Sequence, residues 1–168
     1  MDHLGKYRKH ISTRHIYLSL VIGVFINMIP SGGLLPDVVA LLIVYWLLTT
    51  PDQINLVTVF VLGLIMDISS GSLLGQNALA YVITSYIILR NRRKLILYNY
   101  GWQTLVVFSI LLLNKVIIMT VAYIISKKLP SMEIVLLGIF FPTLIGAFFW
   151  SLLNKFMIFA YRPRTRTK

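Results

Sequence analysis

The sequence contains no cysteine and very few acidic residues, and both absences exclude classes of function. Without cysteine the chain has no disulfides, thiolate nucleophiles or cysteine-ligated metals. Five residues are acidic and 12% are charged, against about 25% charged residues in soluble domains. The acids form no paired-carboxylate or HExxH pattern, and the chain has no P-loop. We therefore expect no enzymatic activity, no cofactor and no metal site.

Long apolar runs dominate the chain instead. Hydrophobic residues make up 58% of the sequence, in runs separated by proline, glycine and charged residues. A membrane-spanning helix needs roughly 20 apolar residues, so a chain of this length accommodates about six spans with short loops. We predict an all-α integral membrane protein, a compact bundle of about six transmembrane helices forming a single domain, 1–168. The predicted spans are 16–29, 34–50, 54–68, 73–89, 102–126 and 134–161.

The net charge of +11 is concentrated at three places beside the apolar runs, in 6–14, 90–94 and 162–168. Six spans bring all three basic clusters to one side, which is the positive-inside pattern. We therefore expect both basic tails, 1–15 and 162–168, in the cytoplasm, and contact with anionic lipid rather than nucleic acid. No A-x-A-like cleavage site follows the first run, so we expect it to stay as an anchor.

The stretch 63–75, GLIMDISSGSLLG, carries a carboxylate in apolar surroundings. A charge at the centre of a bilayer costs roughly 2.5–3.5 kcal/mol, so Asp67 indicates function or a specific partner. One interpretation is that Asp67 closes a turn after the third span, because Asp and Ser bond nearby backbone N–H groups. The other is a buried contact point for another helix or subunit, since the spacing of Gly71 and Gly75 permits close approach of a neighbouring backbone if that stretch is helical.

Lys115 is the second costly charge, in the middle of the fifth span. Its ammonium group either extends towards the membrane surface or pairs with Asp67 and fixes the third span against the fifth. Asn27 and Asn114 are candidates for hydrogen bonds between helices. Pro142 frees a backbone carbonyl in the sixth span and predicts a kink.

Several features together resemble one family, the rod shape-determining MreD proteins. Pro36 opens an apolar run that ends in Tyr45-Trp46, and Pro51 follows it. The spacing of residues 63–75 completes the resemblance, which covers nearly the whole chain in length and order of spans. The resemblance implies a structural or partner-binding role for seven residues. They are Pro36, Pro51, Gly63, Asp67, Ser70, Gly71 and Gly75.

The resemblance implies a bacterial inner-membrane scaffold of the machinery that builds the lateral cell wall. MreD-like proteins are expected to bind MreC, and through it MreB, the glycosyltransferase RodA and its partner transpeptidase. The family has also been likened in fold to the S components of energy-coupling-factor transporters. A small-solute or lipid-binding transporter component is therefore the alternative function. On the scaffold hypothesis, Asp67 organises the hairpin that helps form the surface recognised by MreC.

Overall fold

The structure, a computed structural model, describes residues 12–29, 35–97, 100–127 and 135–160. The regular elements of these residues are all helices and include no strand, which confirms the all-α prediction. The predicted basic tails lie outside the described residues, apart from 12–15. The described helices are α1 (Thr13–Asn27), α2 (Val38–Thr49), α3 (Leu56–Ser70), α4 (Gln76–Leu97), α5 (Tyr100–Ser126) and α6 (Phe141–Ala160).

Helix α2 is the centre of the bundle. Its residues 39–48 are all buried, and it contacts α1, α4, α5 and α6. A helix that is apolar on every side belongs in a core. Asp37 caps its first turn by accepting a hydrogen bond from the Ala40 N–H at 3.0 Å, and the chain leaves the helix at Thr50, before Pro51. A proline disfavours helical backbone in the residue before it, so Pro51 accounts for the C-terminal end of α2.

The outside of the bundle is apolar and part of its inside is polar. Phe148 is 70% exposed, whereas Asp67 is 0% exposed and Asn114 is 2% exposed. Large apolar side chains are also exposed along α1, α3 and α5. A soluble monomer rarely exposes extended apolar surface, so this distribution fits hydrocarbon as the surrounding solvent.

Among the described helices, one is long and apolar enough to cross a bilayer by itself. This is the segment Gly101–Ile125 of α5, which is about 37 Å long at 1.5 Å per residue against a hydrocarbon core of about 30 Å. Helices α2 and α3 have 12 and 15 residues and fall short of that length. The count of six crossings therefore stays a prediction.

Two predicted boundaries are wrong, and both have a local cause. The fourth span is predicted to end at residue 89, before the basic cluster 90–94, but this cluster belongs to the last turns of α4, which runs to Leu97. Arg and Lys are good helix formers, and cations are favoured near the negative C-terminal end of a helix. The fourth span was expected to begin at residue 73, but α4 begins at Gln76 because residues 71–75 form a turn.

Helix α6 follows a π-helical turn, Leu136–Phe140, in which the Phe141 N–H donates to the Leu136 carbonyl. Pro142, the second residue of α6, has no N–H to donate. The widened turn lies next to the position where a kink is predicted. Such turns are frequent at functional sites.

Candidate functional site: the polar end of the bundle

The turn between α3 and α4 is built around Gly71. Its φ is +62°, the left-handed region, which glycine adopts without strain. The Ser72 N–H donates to the Asp67 carbonyl at 3.0 Å, and the Gly71 N–H donates to the Ile68 carbonyl at 3.4 Å. These two bonds form a Schellman motif, which satisfies carbonyls at the end of α3. The sequence ISSGS thus ends one helix and turns the chain towards the next.

The carboxylate of Asp67 reaches across this turn to the beginning of α4. It accepts hydrogen bonds from the Gly75 N–H at 2.8 Å and the Asn77 N–H at 2.8 Å. The Asn77 side-chain amide donates at 2.9 Å and the Ser72 hydroxyl at 3.0 Å. The first N–H groups of a helix have no partner within it, and the helix dipole is positive there. A fully buried carboxylate is therefore stabilised by the end of its neighbouring helix.

Gly63 lies two turns before the end of α3, at a close contact with the backbone of α4. A Cβ atom at Gly63 would lie 2.3 Å from the Ala78 Cα and 2.6 Å from its nitrogen. By contrast, a Cβ at Gly71 or Gly75 would have no atom within 4 Å. The helical backbone on which close approach at Gly71 and Gly75 depended is not formed, because both residues lie in the turn and have positive φ. The small residue that permits contact is Gly63.

The other residues singled out by the resemblance have local structural roles. The Ser70 hydroxyl donates to the Met66 carbonyl at 2.7 Å. Pro51 begins a short 3₁₀ helix, Pro51–Gln53, between α2 and α3. Pro36 is buried just before the cap of α2, and its Cβ lies 3.3 Å from where a Cβ on Gly146 of α6 would be. Together these residues shape the helix ends and connections.

A second carboxylate, Asp37, joins three helices at the same end of the bundle. Its Oδ1 accepts from the Asn27 side-chain amide of α1 at 2.8 Å, and its Oδ2 accepts from the Tyr81 hydroxyl of α4 at 2.7 Å. The Asn27 carbonyl oxygen in turn accepts from the Val38 N–H at 3.0 Å. The sequence indicated Asn27 as an interhelical donor but did not identify Asp37 or Tyr81. An acid just before an apolar run is a helix-start signal that could have found Asp37.

Lys115 does not meet Asp67. The hydrogen-bond donors to the Asp67 carboxylate lie within residues 72–78, whereas Lys115 lines a small cavity with Asp37 and Asn114. The pair that the sequence left open is therefore absent from the described part of the chain. Helix α4 reaches α5 by another route, since the Gln76 side-chain amide donates to the Ile118 carbonyl at 2.9 Å.

These groups gather at one end of the bundle, which we call the polar end. It combines the end of α1 with the start of α2, and the end of α3 with the start of α4. The opposite, basic end carries Arg90 to Lys94 on the last turns of α4. Over residues 12–29, 35–97, 100–127 and 135–160, no three His, Cys, Asp or Glu side chains come together as metal ligands would.

Comparison with known proteins assigns the chain to a family. The model of the rod shape-determining protein MreD matches residues 8–163. The chain belongs to the MreD family. A curated relative, the rod shape-determining protein MreD of Haemophilus influenzae, is 31% identical over 88 residues, which cover 52% of this chain and 54% of that protein. The chain thus spans about half the length of this MreD relative in the match.

No solved structure matches this chain. Membership of the MreD family connects it with the determination of rod shape and with a family of membrane proteins. The matched range includes the polar end and all six described helices.

Proposed function

We propose that this chain is a non-enzymatic inner-membrane scaffold of the bacterial cell-wall elongation complex. It binds MreC and through it connects MreB with RodA and its partner transpeptidase, and both of its termini lie in the cytoplasm. Membership of the MreD family supports the cell-shape part of this proposal. The scarcity of acids and the absence of cysteine favour a scaffold over an enzyme.

The observation that carries the proposal is the arrangement of the α3–α4 hairpin, in which one side of α3 is packed on α4 and the other side is exposed. The inner side of α3 is fixed by the Gly63 contact with Ala78 and by the buried Asp67. Its outer side presents apolar side chains, including Val57 at 71% and Ile68 at 70% exposure. Helix α4 is its one extensive helical neighbour among the described elements. A rigid helix with a free apolar face suits packing against a single-span partner, because close packing supplies the attraction in lipid.

The α3 outer face, defined as Val57, Phe60, Val61, Ile65 and Ile68, is therefore the surface that we assign to MreC. The test is co-purification of MreC with a tagged copy of the chain in mild detergent. Phe60→Ala removes a large exposed side chain from this face and should lower the MreC recovered per tagged chain. Phe148→Ala on α6 is the matched control, because Phe148 is also an exposed phenylalanine. Equal recovery with both variants would reject the α3 outer face.

A second experiment tests the cellular role. Depletion of this protein from a rod-shaped bacterium should give spherical cells, and re-expression should restore rods. Rods of normal width after depletion would contradict the scaffold proposal.

The alternative, a transporter component similar to S components, has one observation in its favour. Helix α2 is short, and Asp37 at its start lines the same cavity as Lys115 in the middle of α5. Helices that begin within the membrane form the solute sites of many transporters. However, that cavity measures about 10 Å³, whereas pockets for drug-sized ligands occupy roughly 300–1,000 Å³. Stoichiometric recovery of an ATPase module without MreC would favour this alternative.

A further inference from the structure

A small cavity lies among α2, α5 and α6 at the polar end. Its volume is about 10 Å³, close to the roughly 10–15 Å³ that one water molecule needs. Helix α6 contributes Pro142 and Thr143, which lie in its first turn, just after the π-helical turn Leu136–Phe140. The lining residues are Asp37, Leu111, Asn114, Lys115, Pro142 and Thr143.

Asn114 lines this cavity with a buried side-chain amide whose polar atoms are unpaired among the described residues. The side chain is 2% exposed, and neither its Nδ2 nor its Oδ1 has a hydrogen-bond partner in the described part of the chain. Burying an unpaired amide is costly, so such groups normally find a partner. Asn114 offers both a donor and an acceptor, and a matching ligand must therefore be able to accept and to donate.

Lys115 and Asp37 bring opposite charges to the same cavity. Lys115 lies about ten residues, or roughly 15 Å, before the end of the apolar segment Gly101–Ile125. Intramembrane lysines at such depth pair with other groups. Among the described residues Lys115 has no direct salt bridge, and Asp37 is the acid that shares its cavity. The Asp37 carboxylate already accepts from Asn27, Ala40 and Tyr81.

We propose that Asp37 is the counter-ion of Lys115 and that one water molecule in the cavity bridges them, with Asn114 completing its hydrogen bonds. Water fits because it donates to Asp37, accepts from Lys115 and can bond either end of the Asn114 amide. A bound cation would be repelled by Lys115 and a bound anion by Asp37, whereas water is neutral. The bridge ties central helix α2 to α5, beside the widened turn that leads into α6.

A double-mutant cycle tests the counter-ion pair. Asp37→Asn removes the charge and keeps a good helix cap, and Lys115→Met removes the ammonium group while keeping an apolar chain. Each single variant should lower the thermal unfolding midpoint in detergent, and the double variant should lose clearly less than the sum of the two. The control cycle combines Asp67→Asn with Lys115→Met and should be additive, because these residues do not share the cavity. Additive losses in the Asp37 cycle would overturn the pair.

The bridging water is tested by whether a single substitution raises or lowers the unfolding midpoint. Asn114→Leu has nearly the same shape and no polar atoms. If the cavity is dry, this change removes an unpaired amide and raises the unfolding midpoint or leaves it unchanged, which would overturn the bridge. If water links Asn114 to the charges, the midpoint falls. Ser85→Ala is the control, because the Ser85 hydroxyl is also buried without a partner but does not line the cavity, and its midpoint should not fall.

Discussion

Arg92 of α4 donates two hydrogen bonds to the Leu48 carbonyl at the end of α2, from Nε at 3.1 Å and from a terminal guanidinium nitrogen at 2.9 Å. At the other end of α2, Tyr81 of the same helix α4 donates to Asp37. Helix α4 therefore holds the central helix at both ends. The carbonyls at the end of a helix lack partners within it and attract cations, so Arg92 has a specific role within a basic cluster.

Replacing Arg92 by Met should destabilise the protein, although it removes one of several like charges in the basic cluster at the end of α4. The Leu48 carbonyl loses a charged donor, a bond worth about 1.5–3 kcal/mol when buried, and because Arg92 is half-buried we expect about 1 kcal/mol after screening. Thermal unfolding in detergent measures the change. Arg93→Met is the control, because Arg93 is exposed, and equal losses in both variants would contradict the role of Arg92 at α2.

Removing the Asp67 carboxylate should be more damaging than neutralising it. Asp67→Ala leaves the Gly75 and Asn77 N–H groups without their acceptor and should cost about 2 kcal/mol or more in stability. Asp67→Asn keeps one acceptor oxygen, so it should cost less. The unfolding midpoints of the two variants check the order. Identical losses would show that the negative charge matters more than the hydrogen bonds to α4.

Substitutions at three glycines separate close packing from backbone strain. Gly63→Ala should cost most, because its Cβ would overlap the backbone of Ala78. Gly71→Ala should cost about 1–2 kcal/mol for its left-handed backbone, and Gly71→Asn should cost less because asparagine tolerates that conformation. Gly101 lies in a helix and has open space where a Cβ would be, so Gly101→Ala should be neutral or stabilising. A Gly71→Ala loss exceeding that of Gly63→Ala would contradict the contact between α3 and α4.

The absence of cysteine makes the topology directly measurable. Leu74→Cys at the polar end and Arg93→Cys at the basic end each introduce a single thiol at an exposed position. In spheroplasts a membrane-impermeant maleimide should label Leu74→Cys and leave Arg93→Cys unlabelled until the cells are lysed. This result follows if the basic end faces the cytoplasm. Labelling of Arg93→Cys in intact spheroplasts would reverse the predicted orientation.

The helices could be predicted from the sequence because their signals are local. Runs of apolar residues, the proline at Pro51 and the glycine at Gly71 mark ends that the structure shows within a few residues. The all-α class and the order of the helices followed from these signals alone. The continuation of α4 through Arg90 to Lys94 was missed, because charge was interpreted as a loop although arginine and lysine favour helices.

The polar contacts between helices could not be predicted in the same way. Tyr81 and Asp37 are 44 positions apart, and nothing in the spacing of either residue names the other. One of the two hypotheses for Lys115 paired it with Asp67 because both charges lie in apolar runs, whereas packing brings Lys115 to the cavity of Asp37. Gly63 was named for its spacing, but only the position of Ala78 distinguishes it from the turn glycines Gly71 and Gly75.

The unequal helix lengths around α4 have a consequence for the surrounding lipid. Helix α5, with 27 residues, is about 40 Å long, whereas α3, with 15 residues, is about 22 Å long. The two helices pack on the same neighbour, α4, so the hydrophobic belt of the molecule is tall on one flank and low on the other. Lipid adapts to such a mismatch by thinning or by helix tilt. On the six-span prediction, such a protein should deform the bilayer asymmetrically, and a second helix beside α3 should enter a locally thinner membrane.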